Sequence, residues 1–497
     1  MSRWRKYFVA AAVSAAVLFC CQSAGAADYE TSGTINYTST TSDLAALLSE
    51  TPAGAFSWTH TGQVNMYAGD LITSLANVPN GTPAYLELKD ATVSVSGNFN
   101  VAAAGIVGGS PVGGSGELVL DNTTMTVGGQ FNVSCGNALG DKVANPIVGR
   151  LTLRNGTHLT VNNLLQLSAN AGKSGEWNAQ VTNVLTLSSG SVLTLNNKIQ
   201  RWDGPSGLVV FDGGRVEMKT TTNDKFFHAG GYGYDGKSTL LITNTPGNDI
   251  DLSNSLTNQL FDGQNTGFLL ATGAIRKRGR GVMVFNGPSG NNVNENRLSF
   301  NGLAIEEGEV QLFNNFTFRD PSLYQEHRRG TVAISAGARL DLNNNYAFIE
   351  DLTGQGTILA SGGAPLTLCN ETDSDAASDK VRIGQGITSL AKRNATLTQV
   401  AAYGTDLLAT TVEAGTLKVV EPALAVPGFT HYRFRVTKVN DENNANQIME
   451  LREIKLIEGA ADVTYATRIN WDSMTVQTGG SGIFGSGETP DKAYIQQ

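Results

Sequence analysis

Residues 85–101 read YLELKDATVSVSGNFNV, and residues 117–133 read ELVLDNTTMTVGGQFNV. The two align without a gap at an offset of 32 residues. Leu86, Leu88, Val93, Val95, Gly97, Phe99 and Val101 fall on Leu118, Leu120, Met125, Val127, Gly129, Phe131 and Val133. Polar or small residues stand between the apolar ones, and a period of two gives a strand one dry face. A polar corner, Lys89–Asp90 or Asp121–Asn122, interrupts the alternation. The unit reads strand, corner, strand, corner, strand. Such a unit cannot bury its dry face alone and must stack on copies of itself.

Further copies follow. Arg150–Leu167 (RLTLRNGTHLTVNNLLQL) repeats the pattern with Leu151 and Leu153, takes one extra corner residue, and resumes with Leu159, Val161, Leu165 and Leu167. VLTLSSGSVLTLNN continues it with Leu185, Leu187, Leu193 and Leu195, at an offset of 34. GLVVFDGGRVEMK is read at an offset of 23, with Leu208, Val210, Val216 and Met218 as its dry face. The corners are Asp90-Ala91, Asn122-Thr123, Asn155-Gly156, Ser189-Gly190 and Gly213-Gly214. Gly, Asn and Asp are the residues that tolerate positive φ. Gly105–Gly116 and Asn137–Pro146 read as loops between copies.

The inward positions keep register while the loops change length. A β-helix tolerates this, because each coil need only present its strands to the coil before and after; a propeller would hold a fixed blade. The expected fold class is all-β: a right-handed parallel β-helix (solenoid) with a small C-terminal β-sandwich, incomplete as it stands. Coils of roughly 20–30 residues over 28–420 give about 13–18 coils.

Composition agrees. Gly is frequent at 57 and charged residues make up only 16%, which suits short strands and tight corners rather than helices. A 40% hydrophobic share excludes a disordered chain. Residues 1–27 read as a cleaved secretory signal peptide, with Arg3, Arg5 and Lys6 in front of the apolar run Phe8–Phe19. Ala24-Gly25-Ala26 or Gly25-Ala26-Ala27 supplies the small residues before cleavage. The run is short for a membrane anchor, and bulky Phe19 argues against lipidation at Cys20 or Cys21. Cleavage removes three basic residues and takes the net charge from −9 to −12. That balance disfavours nucleic acid and anionic membranes as partners. No transmembrane segment is expected after cleavage. Cys135 and Cys369 remain, many coils apart, and read as buried small hydrophobes rather than a disulfide.

Residues 28–84 read as an N-terminal cap and the first coils, with strand-like alternation in SWTHTGQVNMYAGDLITSL and one helical turn at Asp43–Leu48. From 85 to 420 the repeats continue. Gly273–Gly287 reads GAIRKRGRGVMVFNG, Leu303–Leu312 reads LAIEEGEVQL, and Ala338–Leu359 reads ARLDLNNNYAFIEDLTGQGTIL. Leu390–Val400 reads LAKRNATLTQV, and Thr411–Val419 reads TVEAGTLKV. Over residues 270–420 these pieces resemble the autotransporter-associated β-strand repeat family. The matching residues are Lys277, Gly279, Gly281, Val282, Val284 and Gly287, with Gly308, Val310 and Leu312 on the return strand. A second copy has Lys392, Leu397, Gly415, Thr416, Leu417 and Val419, and departs where Arg393-Asn394 replaces the first Gly. The resemblance implies a passenger-like β-helix. Residues 421–428 are a Pro-flanked linker. Residues 429–497 resemble the opening of a discoidin (coagulation-factor type-C) module through Tyr432, Phe434, Val436, Gln447, Glu450, Leu451, Leu456 and the run Gly487–Ala493. The family's ligand loops lie beyond the matching part, so no binding residue is carried over.

The strongest charged candidates are Arg276, Lys277, Arg278 and Arg280 with Glu306, Glu307 and Glu309. β-helix lyases gather such residues to handle acidic polysaccharides. Here the basic cluster coincides with the repeat's own turn, which favours a turn beside a solvated, oppositely charged neighbour. Glu371, Asp373 and Asp375 read as a polar loop, with a Ca²⁺ site as the alternative. His60, His158, His228, His327 and His431 lack metal spacing, and His158 is expected to face solvent. Corner residues such as Asn122 and Asn155 either stack as ladders between coils or simply supply the turn conformation. No catalytic, cofactor-binding or metal-binding residue is assigned, and no cofactor is expected. The expected function is that of a secreted or cell-surface structural or adhesive β-helix protein displaying loops. Its expected partners are extracellular glycans or surface proteins. The alternative is a polysaccharide lyase or glycoside hydrolase of the β-helix class.

Overall fold

The computed structural model describes residues 5–9, 16–20, 27–38, 56–67, 84–103, 105–107, 110–112, 115–135, 148–168, 182–201, 206–219, 225–229, 239–261, 267–286, 298–313, 331–371, 373–374, 380–402, 410–420, 457–458 and 461–462. Among them the regular structure is all strand. The chain divides into two units, Met1–Val420 and Glu421–Gln497.

The first unit is a parallel β-helix. Ala84–Lys89, Ala91–Val95 and Phe99–Ala103 each pair in parallel with the equivalent strand of the next copy: Gly116–Asp121, Thr124–Val127 and Phe131–Cys135. Repeated along the chain, this builds three columns of strands, called here the first, second and third faces. Fifteen described strands, from Ala27–Thr38 to Thr416–Val420, lie side by side along the third face. At about 4.8 Å per strand, that column is roughly 65–70 Å long. In the last coils a shorter sheet, Ala347–Ile349, Ala364–Leu368, Ile387–Lys392 and Thr410–Val412, follows the first face in chain order.

The core is made of inward columns whose members are Cα partners. Leu86, Leu118, Leu151, Leu185, Val209, Ile242 and Leu269 form one such column, and all are buried. Phe99 stacks on Phe131 with ring centroids 5.4 Å apart. One register expectation is overturned. Leu185 pairs with Val209 and Leu187 with Phe211, so Val209 and Phe211 face the core while Leu208 and Val210 lie on the outer side. The offset on this face is 24 residues, and it becomes 23 only after the Gly213-Gly214 corner, where Val216 pairs with Leu193. GLVVF is apolar at both parities, so alternation alone could not choose the face. In GVMVFNG, likewise, Met283 and Phe285 are the inward pair and Val282 and Val284 the outer one.

The corners behave as their composition requires. Asp90, Asn122 and Asn155 hold φ of 52°, 48° and 54°. The Asn122 amide donates to Asp90 Oδ1 and the Asn155 amide to Asp121 Oδ1, each at 2.7 Å, so these residues supply both the turn and a contact between coils. The opposite corner is a stack of glycines. A Cβ on Gly62 would fall inside 3.0 Å of the Gly33 carbonyl, and one on Gly97 inside 3.0 Å of the Gly62 carbonyl. Only glycine lets the backbones stack so closely.

At the N-terminal end, Ala27–Thr38 and Phe56–Tyr67 pair in register over their whole length, and the second also carries the Ala91–Val95 and Phe99–Ala103 strands. They are the first coils of the helix. Arg5–Val9 and Ala16–Cys20 pair antiparallel, the latter with Asp28–Ser32. The expected turn at Asp43–Leu48 lies outside the described residues. The Gly105–Gly116 excursion contains an antiparallel hairpin, Gly105–Val107 with Ser110–Val112. Of the second unit only Ile457–Glu458, paired antiparallel with Ala461–Asp462, is described; the discoidin-like expectation otherwise lies outside the described residues.

Candidate functional site

The outer surface of the second face divides into two chemically distinct halves. On the N-terminal half, register places Ser57, Thr92, Thr124 and His158 in one column. Thr59, Ser94, Thr126, Thr160 and Thr194 form the next column. Rows are about 4.8 Å apart and columns about 6.6 Å, because alternate residues point the same way. Thr59, Thr92, Ser94, Thr124 and His158 are exposed, Ser57, Thr126 and Thr160 partly so, and Thr194 is buried. The result is a flat array of hydroxyls on a rigid sheet. His158 does face solvent, as its corner position implied.

On the C-terminal half the same columns carry charge. Arg276 Nη2 lies 2.6 Å from Asp249 Oδ2, and Arg276 also binds Glu306 of the next coil. Arg278 Nε lies 2.9 Å from Asp251 Oδ2, and its Nη1 lies 2.7 Å from Glu306 Oε2. Arg280, almost fully exposed, reaches Glu307 at 2.9 Å. Glu306 therefore bridges two arginines, and the ladder spans three coils. Burial raises the Asp251 carboxyl above its ordinary value even beside Arg278. The sequence singled out the basic cluster and its glutamates. It missed Asp249 and Asp251, because they join the set only through the register of Ile250–Asn254 against Ile275–Arg278.

Lys277 is not part of this ladder. It stands in an inward column between Leu252 and Ile305 and is fully buried. Its ammonium donates to the carbonyls of Arg278 (3.0 Å), Gly279 and Glu307 (2.9 Å). Burial pushes it down to about 8. Lys392 repeats the arrangement, fully buried, donating to the Arg393 and Asn394 carbonyls and to Thr396 Oγ1. Gly279 holds φ 75° and Asn394 holds φ 67°. The motif's glycine can be Asn because Asn tolerates the left-handed region. Each lysine caps the carbonyls of its own turn and presents no nitrogen to solvent.

The acidic loop separates in space. Asp373 Oδ1 accepts from the Leu397 amide at 2.7 Å, the Glu371 amide donates to Asp351 Oδ1 at 3.2 Å, and Asp375 lies outside the described residues. Among the described residues no group of three His, Cys, Asp or Glu could hold a metal ion. Neither Cys135, which is buried, nor Cys369, which is partly buried, is in a disulfide. His60 is buried at the N-terminal end within a hydrogen-bonded chain that sequence spacing did not signal. No family model, curated protein or solved structure matches the chain.

Proposed function

We propose that this chain is an exported structural or adhesive β-helix protein. The hydroxyl-bearing N-terminal half of its second face contacts extended glycans, and the segments between coils are displayed around it. The observation that carries the reading is the division of that face. The guanidiniums that an acidic-polysaccharide enzyme would use are engaged by carboxylates of neighbouring coils, whereas the accessible polar groups form a flat hydroxyl array. An array with a fixed repeat along a rigid sheet suits a polymer with its own short repeat better than a compact substrate, which needs a concave pocket. The basic front and apolar run of residues 1–27 support export. The resemblance of 270–420 to passenger repeats points the same way.

The test is retention of the full chain on immobilised neutral polysaccharides and on a glycan array, beside cell fractionation. Retention that Thr124→Arg plus Thr126→Asp weakens at least tenfold is expected, with the protein outside the cytosol. A cytosolic protein that binds no glycan would sink the reading. Turnover of uronic-acid polysaccharides abolished by Arg276→Ala plus Arg280→Ala would replace it with the lyase or hydrolase alternative.

A further inference from the structure

The core of the first coils holds a polar chain inside an otherwise apolar column. Trp58 Nε1 donates to Thr31 Oγ1 at 2.9 Å, Thr31 Oγ1 lies 2.8 Å from His60 Nδ1, and His60 Nε2 lies 3.3 Å from the Gln63 carbonyl. With a neutral ring, one arrangement of protons serves all three contacts. The Gln63 carbonyl can only accept, so Nε2 carries the hydrogen; Nδ1 is then an acceptor for the Thr31 hydroxyl. Burial favours that neutral form, for His60 is 1% exposed and stacked in register between Thr31 and Val95. The chain joins Ala27–Thr38 to Phe56–Tyr67 from the inside.

Protonation at Nδ1 breaks this arrangement. Thr31 Oγ1 can accept from both the imidazolium and the Trp58 indole, but its own hydrogen would lose Nδ1 as its acceptor. A charge would also stand in the core. The described elements packed around the ring offer it no counter-ion. Asp28 and Glu30 on the neighbouring strand are exposed on its outer side, Ala91–Val95 and Phe99–Ala103 carry no ionisable side chain, and Tyr85, Glu87 and Lys89 lie on the outer side of the first face. Burial accordingly holds His60 below its ordinary value of 6.5.

We propose that His60 is an acid-sensitive latch on the N-terminal end of the helix. Its protonation releases Ala27–Thr38 from Phe56–Tyr67 and leaves the latter as an open strand edge able to pair with another chain. The direction follows from linkage. The unfolded imidazole takes up its proton near 6.5 and the folded one only below that. The closed state is therefore unaffected above about pH 6.5 and weakens as pH falls through and below it.

Hydrogen exchange of the full chain between pH 7.5 and 5, corrected for intrinsic rates, tests the latch. Amides of 27–38 are expected to open more readily by up to about tenfold per pH unit below about 6.5, with 117–133 unchanged. In His60→Asn the Oδ1 atom accepts from Thr31 and does not titrate, so the slope should vanish. Equal slopes in the two proteins, or none in the wild type, overturn the proposal. Should His60→Asn not fold, the His60 ring can be titrated by NMR in the wild type, where a midpoint at or above the ordinary imidazole value overturns it.

Discussion

Single residues close the coils of this helix. Gly97 sits where a side chain would strike the Gly62 carbonyl of the coil below, backbone that cannot swing aside. Gly97→Ala is therefore expected to cost roughly 3 kcal/mol or more, read as a lower urea midpoint. Lys277 closes its corner from within. Lys277→Met keeps the volume but orphans three carbonyls, at a cost of about 2–3 kcal/mol at pH 7. The lysine also has a pH signature. Its ammonium is held at about 8 against an ordinary 10.5, so between those values the unfolded chain keeps a proton that the folded chain has released. Stability of the wild type relative to Lys277→Met should thus rise from pH 8 to 10.5 and be flat below 8. A difference that stays constant across that range would mean that the ammonium is held by the carbonyls as firmly as by water.

Strands show where alternation was legible and where it failed. Leu86 to Leu185 line up in the core at the offsets read from the sequence, because polar residues mark the other parity. At 207–211 both parities are apolar, and the choice fell to the coil beneath: Leu185 and Leu187 admit Val209 and Phe211, with the corner one residue shorter. Phe211→Ala is expected to cost roughly 3–5 kcal/mol, and Val210→Ala less than about 1. The opposite order in a denaturant series would restore the 23-residue register. The ion-pair ladder belongs to this scale too. Glu306→Gln removes a bridge between partly exposed arginines, so its effect should be within about 1 kcal/mol and fade in high salt.

At the scale of the first unit, each coil touches only its neighbours, so stability adds up along one dimension. The last strands, Thr410–Val412 and Thr416–Val420, are exposed almost throughout, and Val412 and Val419 are 47% and 45% exposed. Amide exchange should therefore be fastest at 410–420 and slowest near 151–195, where both neighbours are present. Uniform protection along the unit would show all-or-none unfolding instead. The basic cluster at 276–280 was visible as composition, but its partners Asp249 and Asp251 come from a separate strand, and only stacking sets them beside it. The Thr and Ser columns are likewise scattered through the chain at spacings of 32 to 35 residues and become a surface only when coils lie in register.

The sequence by itself determined the all-β class, the parallel stacking, the corners and most inward positions. Alternation with period two, punctuated by residues that accept positive φ, leaves a chain few other ways to bury its apolar side. The tertiary structure alone decided what lies between coils: the register of the doubly apolar strands, the burial of Lys277 and Lys392 as turn caps, the pairing of the arginines, and the His60 chain. Those depend on which residues of distant segments become neighbours along the helix axis. Stretches of unequal length separate the segments, so spacing along the chain does not encode that neighbourhood.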